Sequence, residues 1–246
     1  MSKKFSILIT TRYRTDFLKN LLESIHNTSF YKEDIEVLII YDIDDNQTDI
    51  FAKNFNLDSQ IQFSFYKRER SMNLVNDYHN YYAKNYANGK YLIFSNDDAL
   101  FEMPEWDKRI LNRLNTYEEM YPDGILYGIT EDFENEPKRH AHNWMACFPL
   151  ITKKHIEILG YAFDPEFIRD GADWALAALY RSIDRIVDLR DCCIIKHLSL
   201  RSRRRKEDIL DRESRKLGIL PPSMNVFVKR DSEILLEYIN NFYQKE

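Results

Sequence analysis

Two adjacent carboxylates follow an apolar, strand-like run in the first half of the chain. The run at residues 89–96 ends directly in Asp97 and Asp98. In an open α/β sheet, ligands bind beyond the carboxyl ends of the strands, which is where both side chains would lie. Carboxylates there can hold a hard divalent cation, which shares its remaining coordination positions with waters and substrate phosphates. The other interpretation is a solvated turn whose aspartates cap the following segment.

Short runs of β-branched and aliphatic residues alternate with longer amphipathic stretches, a pattern typical of βαβ units and a largely parallel sheet. The strand-like runs are residues 5–10, 35–41, 61–66, 91–95 and 125–129. After the first run, apolar residues at helical spacing follow Asp16, which stands where an N-cap belongs. The sequence therefore predicts an α/β fold with a mainly parallel central sheet flanked by helices.

The second half is less regular, with predicted helices at about 152–159, 171–182 and 231–243 and a strand at 192–196. No segment has the composition of a linker, a repeat or a low-complexity stretch, so we expect one domain over residues 1–246. Between the third and fourth strands, a helical stretch carries a polar stripe that could face solvent or a polar cleft. Its residues are Asn73, Asn76, Asp77 and Asn80.

Charge and composition exclude several classes of protein. With 35 Lys and Arg against 40 Asp and Glu, the formal charge is −5, which argues against a nucleic-acid partner. No apolar run approaches the roughly 18 to 20 residues that span a bilayer, and the N-terminus does not resemble a signal peptide. We therefore expect a soluble protein with no indication of membrane association. Cys147, Cys192 and Cys193 have no metal-ligand spacing, so they predict buried thiols and a cytoplasmic location.

Three motifs in the first hundred residues resemble those of the family 2-like inverting glycosyltransferases, which have the glycosyltransferase A (GT-A) fold. A loop containing Thr10 and Thr11 follows the first strand, Asp42 ends the second strand, and residues 89–98 match the strand that leads into an Asp-x-Asp metal motif. The resemblance covers residues 5–100 and extends more loosely to about 200. It implies a nucleotide-binding half at 1–100 and an acceptor-binding half at 101–246 that includes the C-terminal helix.

The same resemblance implies a divalent cation, Mn²⁺ or Mg²⁺, held by Asp98 and His197, with Asp97 beside it on the donor side. Asn96 stands where the first Asp of the metal motif is usual. A cation there would offset the negative charge that develops on a leaving nucleoside diphosphate. Arg70, after the third strand, is a further donor contact. A single His after a strand is otherwise often structural, so this alternative for His197 stays open.

Inversion at an anomeric carbon requires a base that removes the proton of the acceptor hydroxyl. The resemblance assigns this role to Asp173, with Ala172 where the family has Glu. Asp170 is the reserve candidate on the acceptor side, and Trp174 could stack on the apolar face of a sugar ring. Alternatively, the two aspartates cap a helix and Trp174 packs in the core.

These assignments predict transfer of a sugar from a nucleoside diphosphate donor, with Asp42 favouring uracil, to a hydroxyl acceptor on a glycan. One alternative is a nucleotidyltransferase, although no Gly-rich phosphate loop with a following Lys lies near the first strand. Another is a non-catalytic nucleotide- or carbohydrate-binding module, which Asn96 and Ala172 suggest. His140 and His142 are interpreted as surface residues, and the basic run at 201–206 as solvated surface or a diphosphate clamp.

Overall fold

The computed structural model describes residues 3–130, 146–198 and 224–245. The strands are β1 (Phe5–Thr11), β2 (Ile35–Asp42), β3 (Gln62–Arg68), β4 (Tyr91–Asn96), β5 (Ala99–Phe101), β6 (Tyr127–Ile129), β7 (Leu150–Thr152), β8 (Ile186–Asp188) and β9 (Ile195–His197). The α-helices are α1 (Thr15–Thr28), α2 (Asn46–Asn54), α3 (Tyr81–Asn85), α4 (Trp106–Met120), α5 (Lys153–Leu159), α6 (Ala172–Ser182) and α7 (Met224–Tyr243). A 3₁₀ turn at Lys32–Asp34 precedes β2, and a π-helical turn at Val75–Asn80 leads directly into α3.

Seven strands form one sheet in the order β3-β2-β1-β4-β7-β6-β8. The pairs among β1, β2, β3 and β4 are parallel, as is β6 with β8, whereas β7 runs antiparallel to both of its neighbours. A separate antiparallel pair joins β5 to β9. The predicted mainly parallel sheet flanked by helices is confirmed.

Helices cover both faces of this sheet, which explains why its central strands are predominantly apolar. Successive residues of β1 point to opposite faces: Ile7 and Ile9 pack in the core beneath α1 and α4, and Leu8 packs in the core beneath α3, α5, α6 and α7. The apolar stripe of α1 is fully buried on the first face. None of the described helices is both long and apolar enough to cross a lipid bilayer.

Two local predictions are wrong. Asp16 is not an N-cap, because α1 begins at Thr15 and Asp16 lies in its first turn, where its charge still suits the positive end of the helix dipole. The predicted strand at 192–196 is shorter, since the amides of Cys192 and Cys193 both donate to the carbonyl of Leu189, at 2.9 Å each. That turn delays the strand to Ile195–His197.

Gly89 allows the chain before β4 to approach the backbone of β1. A Cβ atom at this position would lie 2.5 Å from the amide nitrogen of Ser6 and 2.6 Å from the carbonyl carbon of Phe5. The amide of Gly89 also donates to Ser6 Oγ, at 2.7 Å. Only a residue without Cβ fits this approach.

We therefore expect Gly89→Ala to lower the free energy of unfolding by about 1–3 kcal/mol, the usual cost of forcing extra atoms into a packed site. Urea denaturation followed by circular dichroism measures the change. Lys84→Ala, an exposed position on the same connection, is the matched control and should shift the midpoint little. Equal midpoints for the two variants would contradict the steric explanation.

Candidate active site

A cleft of about 590 Å³ lies at the carboxyl ends of β1, β2 and β4 and extends to the start of α6. This is the edge at which an open α/β sheet binds ligands. Every predicted site residue except His197 lines the cleft: Thr10, Thr11, Asp42, Arg70, Asp97, Asp98, Asp170, Asp173 and Trp174. Residues from both halves of the chain therefore meet in one cavity.

Asp97 connects the end of β4 to the loop after β1. Its Oδ2 accepts a hydrogen bond from Thr11 Oγ1 at 2.8 Å, and its Oδ1 accepts one from Arg14 Nη1 at 3.2 Å. Burial raises the pKa of Asp97 to about 6 and the charge of Asp98 also raises it, whereas Arg14 and Thr11 act in the opposite direction. Both carboxylate oxygens are thus engaged by the protein itself, so Asp97 fixes the loop that forms one wall of the cleft.

Asp98 and His197 meet although they are far apart in sequence. The β5–β9 pair places Ala99 opposite His197, and the amide of Leu198 donates to the carbonyl of Asp98 at 2.7 Å. His197 Nε2 then lies 3.4 Å from Asp98 Oδ1. Burial lowers the pKa of His197, but hydrogen bonding to Asp98 and Cys147 outweighs it and raises the pKa to about 9. The imidazolium therefore forms an ion pair with Asp98 at neutral pH.

Asp98 and His197 are of the right chemical types and close enough to act as two ligands of one divalent cation. Other oxygens nearby are engaged, since Asn96 Oδ1 accepts from Thr10 Oγ1 at 3.2 Å. Within the described residues, no group of three or more His, Cys, Asp or Glu side chains is placed to hold a metal. A pair of protein ligands suits a hard cation that takes its other ligands from waters and a diphosphate. Binding would require His197 to release its proton.

Asp42 ends β2 at the opposite side of β1 from Asp98. Its Oδ2 accepts from Arg12 Nη1 at 2.6 Å, and its Oδ1 accepts from the Tyr78 hydroxyl. Arg12 also donates a bidentate pair of hydrogen bonds to Asp44, from Nη1 to Oδ1 at 2.5 Å and from Nη2 to Oδ2 at 2.9 Å. Because each carboxylate oxygen has two lone pairs, Asp42 can accept one further hydrogen bond from a ligand while keeping both protein partners.

The polar stripe after β3 does not line the cleft, and its residues Asn76 and Asn80 instead bind the backbone of the segment at 162–165. Asn80 Oδ1 accepts from the amides of Ala162 and Phe163, at 3.0 and 2.9 Å, and its Nδ2 donates to the Phe163 carbonyl at 2.8 Å. Asn76 Nδ2 donates to the carbonyl of Pro165, at 2.8 Å. These contacts hold the segment that leads to the predicted acceptor residues.

Asp173 is the second residue of α6, directly after Gly171, which has a φ of 88° in the left-handed region, and Ala172. Asp173 Oδ1 accepts from the amide of Trp174 at 2.9 Å. The amino end of a helix favours the ionised carboxylate that a general base requires. Asp170 lines the same cleft, so its position relative to Asp173 does not by itself choose the base.

The family model for glycosyl transferase family 2 matches residues 6–176 of the chain. This protein belongs to that family. A search of curated protein sequences finds no match.

Several solved glycosyltransferases share the fold. The S. aureus TarS 1–349 structure has a TM-score of 0.59 at 14% identity, with 79% of this chain and 60% of that chain covered. The mannosyltransferase PcManGT from Pyrobaculum calidifontis, solved with GDP-Man and Mn²⁺, has a TM-score of 0.58 at 13% identity over 97% of this chain and 71% of its own. GalNAc-T7, solved with UDP, GalNAc and Mn²⁺, gives 0.55 at 12%, covering 80% and 44%. The family 2 chain thus has the GT-A fold and spans about 60% of the length of TarS 1–349.

The cleft of this family 2 chain also contains residues that the sequence did not single out. Arg14, Arg169 and His79 all line it. The sequence could have indicated Arg14, because it lies just after the first strand, two residues beyond Arg12, where a cleft residue is expected. The cleft position of His79 depends on the π turn, for which no sequence signal was recognised.

The prediction of three buried thiols is wrong for Cys147, which is partly exposed and lines the cleft. Cys192 and Cys193 are buried as predicted. His140, His142 and the basic run at 201–206 lie outside the described residues. Their interpretations as surface residues and as solvated surface or a diphosphate clamp stay predictions.

Proposed function

We propose that this protein transfers a sugar from a nucleoside diphosphate donor, a UDP-sugar, to a hydroxyl acceptor on a glycan with inversion of anomeric configuration. The observation that carries the proposal is that Asp42, Asp98 and Asp173 line one cleft in a chain of glycosyl transferase family 2. In this proposal Asp42 recognises the base, Asp98 assists release of the diphosphate and Asp173 deprotonates the acceptor. TarS 1–349 has been solved with UDP and with UDP-GlcNAc, which supports a uracil donor.

In this proposal the nucleoside of the donor contacts Thr10, Thr11 and Asp42, because these residues share the end of the cleft formed by β1 and β2. The diphosphate lies toward Asp98, with Arg70 as a cationic contact. The acceptor lies against Asp170 and Trp174, close to the start of α6.

Asp98 and His197 would hold a Mn²⁺ or Mg²⁺ ion. When bound, such an ion stabilises the negative charge of the departing diphosphate as a Lewis acid. PcManGT and GalNAc-T7 were both solved with Mn²⁺, which supports this assignment.

Asp173 takes the proton of the acceptor hydroxyl as the acceptor oxygen attacks the anomeric carbon. The new carbon–oxygen bond forms on the face opposite the bond to the phosphate, which breaks, and the electron pair leaves with the nucleoside diphosphate. Attack from the opposite face is what inverts the configuration. Asp173 lies in the first turn of α6, and the positive end of a helix dipole favours a negatively charged side chain there.

Incubation with Mn²⁺ and a panel of UDP- and GDP-sugars tests the reaction class. Release of nucleoside diphosphate that an acceptor glycan accelerates, with an inverted anomeric proton in the NMR spectrum of the product, is the expected result. A product with retained configuration contradicts the base role of Asp173. A separate incubation with a nucleoside triphosphate and a sugar 1-phosphate tests the alternative, because release of pyrophosphate there identifies a nucleotidyltransferase. Binding with no turnover in either incubation identifies a binding module, which Asn96 and Ala172 favour.

We expect the parent protein to bind UDP more tightly than GDP or CDP, and Asp42→Ala to remove that preference. A hydrogen bond to a charged group contributes about 1.5–3 kcal/mol, so the preference should fall by roughly 10-fold or more. Isothermal titration calorimetry with the three nucleotides measures it.

Asp44→Ala is the matched control for Asp42→Ala, because Asp44 shares the Arg12 contact but its side chain is half-exposed. This variant should keep the UDP preference. A clear preference of the parent for GDP would overturn the uracil assignment and leave the fold unaffected.

A further inference from the structure

His79 lines the cleft, and none of the steps above uses it. It belongs to the π-helical turn Val75–Asn80, a rare backbone geometry that is frequent at functional sites. Its ring lies 5.7 Å from the ring of Phe94 and 5.5 Å from that of Phe163, and these two phenylalanines are 4.7 Å from each other. The imidazole is therefore held in a fixed position by aromatic neighbours.

One polar atom of this ring is left unsatisfied by the residues that the structure describes. His79 Nδ1 is buried and has no hydrogen-bond partner within the described part of the chain. By contrast, Nδ1 of His155, another buried histidine, lies 3.0 Å from the Tyr180 hydroxyl. Burial lowers the pKa of His79 to about 4, so the ring is neutral at physiological pH. A neutral imidazole donates a hydrogen bond from one nitrogen and accepts one at the other. Among the described residues, no contact at Nδ1 determines which of the two nitrogens carries the proton.

The position of His79 lies between the two ends of the cleft. Tyr78, the preceding residue, binds Asp42 at the end of β2, whereas His79 packs against Phe94 of β4. In the sheet order these strands are separated by β1, which places them roughly 10 Å apart. Phe163, which contacts both His79 and Phe94, begins the segment that leads to Asp170 and Asp173.

A donor that reaches from Asp42 toward Asp173 must pass its sugar across this middle region. We propose that His79 hydrogen-bonds a polar substituent of the transferred sugar, a hydroxyl or an acylamino group, and so determines which sugar the site accepts. The inference rests on the proposed function, because it takes the direction of the donor from it. It assigns His79 to sugar recognition and leaves the nucleotide to the residues of β1 and β2.

Paired binding measurements separate these two contributions. Calorimetry with Mn²⁺ gives the dissociation constants of UDP and UDP-GlcNAc, and of GDP and GDP-Man, for the parent, His79→Phe and His79→Gln. Phe keeps the aromatic packing and removes both nitrogens, whereas Gln keeps a donor and an acceptor. Tyr81→Phe is the control, since Tyr81 is exposed on the next helical turn and does not line the cleft.

For the sugar nucleotide that the parent binds, His79→Phe should weaken binding by roughly 3- to 10-fold, the effect of one neutral hydrogen bond, and leave the matching nucleoside diphosphate within about twofold. His79→Gln should recover part of the loss, and Tyr81→Phe should change neither ligand. In ¹⁵N-histidine NMR spectra of the parent, the sugar nucleotide should shift the His79 ring nitrogens more than the diphosphate does. This readout needs no substitution that could disturb folding.

Equal weakening of both ligands in His79→Phe overturns the inference, because it means that the ring only positions Tyr78 and Asp42. Unchanged binding of both ligands, or ring nitrogens that respond equally to both in the parent, overturns it as well. In those cases the proposed function survives, since the parent still binds a sugar nucleotide. A parent that binds no nucleotide in any form removes the proposed function and this inference with it.

Discussion

Asp98→Asn is expected to reduce turnover by on the order of 100-fold or more and to abolish the dependence of donor binding on Mn²⁺. The substitution keeps the shape of the side chain but removes the charge that attracts a hard cation. Loss of a Lewis acid that contributes several kcal/mol to a charged transition state produces an effect of this size. Donor titrations with and without Mn²⁺, combined with a turnover assay, measure both effects.

Two further variants test the assignment around Asp98. His197→Ala should show a smaller defect of the same kind, because it removes the second candidate ligand and leaves the carboxylate. Asp97→Asn is the neighbouring control, since Asp97 is engaged by Thr11 and Arg14, and it should keep its response to Mn²⁺. Undiminished turnover in Asp98→Asn would remove the metal assignment, and thermal unfolding without metal confirms that each variant is folded.

Asp173→Asn is expected to slow sugar transfer by roughly 10² to 10⁴, the usual contribution of a general base, and to leave donor and metal binding close to those of the parent. The amide retains an acceptor for the Trp174 N–H, so the start of α6 should persist. Single-turnover rates at saturating donor separate this chemical defect from a binding defect.

Asp170→Asn is the matched control, because Asp170 lines the same cleft three residues earlier in the chain. It should retain substantial activity. The reverse pattern would make Asp170 the base. Normal turnover in both variants would show that neither carboxylate removes the proton and that the family match on the acceptor side does not extend to the catalytic step.

The sheet was largely predictable because its central strands are buried on both faces and therefore mostly apolar. The predicted run at 35–41 became Ile35–Asp42, with every residue buried. The prediction was wrong at Cys192 and Cys193, where apolar residues belong to a turn and are buried by α4 and its neighbours without strand pairing. Burial alone does not distinguish these two cases, because a run of apolar residues satisfies both.

The cleft residues on β1, β2 and β4 followed from one rule, that parallel strands end at the same edge of the sheet. That rule does not predict positions that depend on the pairing of strands far apart in the sequence. His197 reaches Asp98 through the β5–β9 pair, and only the family resemblance suggested it. Tyr78 and His79 belong to a π turn, whose residues Asn76 and Asn80 contact the segment at 162–165. The extra residue of such a turn changes which side chains face the cleft.

The antiparallel strand β7 lies late in the sequence, so part of the sheet lacks a neighbouring strand while the chain is being synthesised. Strands β1 to β4 find their parallel partners within residues 5–96, whereas, among the described residues, the other edge of β4 pairs with residues 150–152, much later in the chain. Until β7 is synthesised, one edge of β4, the apolar strand that precedes Asp97 and Asp98, has unpaired backbone hydrogen-bonding groups. Such edges pair with other chains during synthesis, so we expect aggregation of this protein to begin at β4 in chains that end before residue 150.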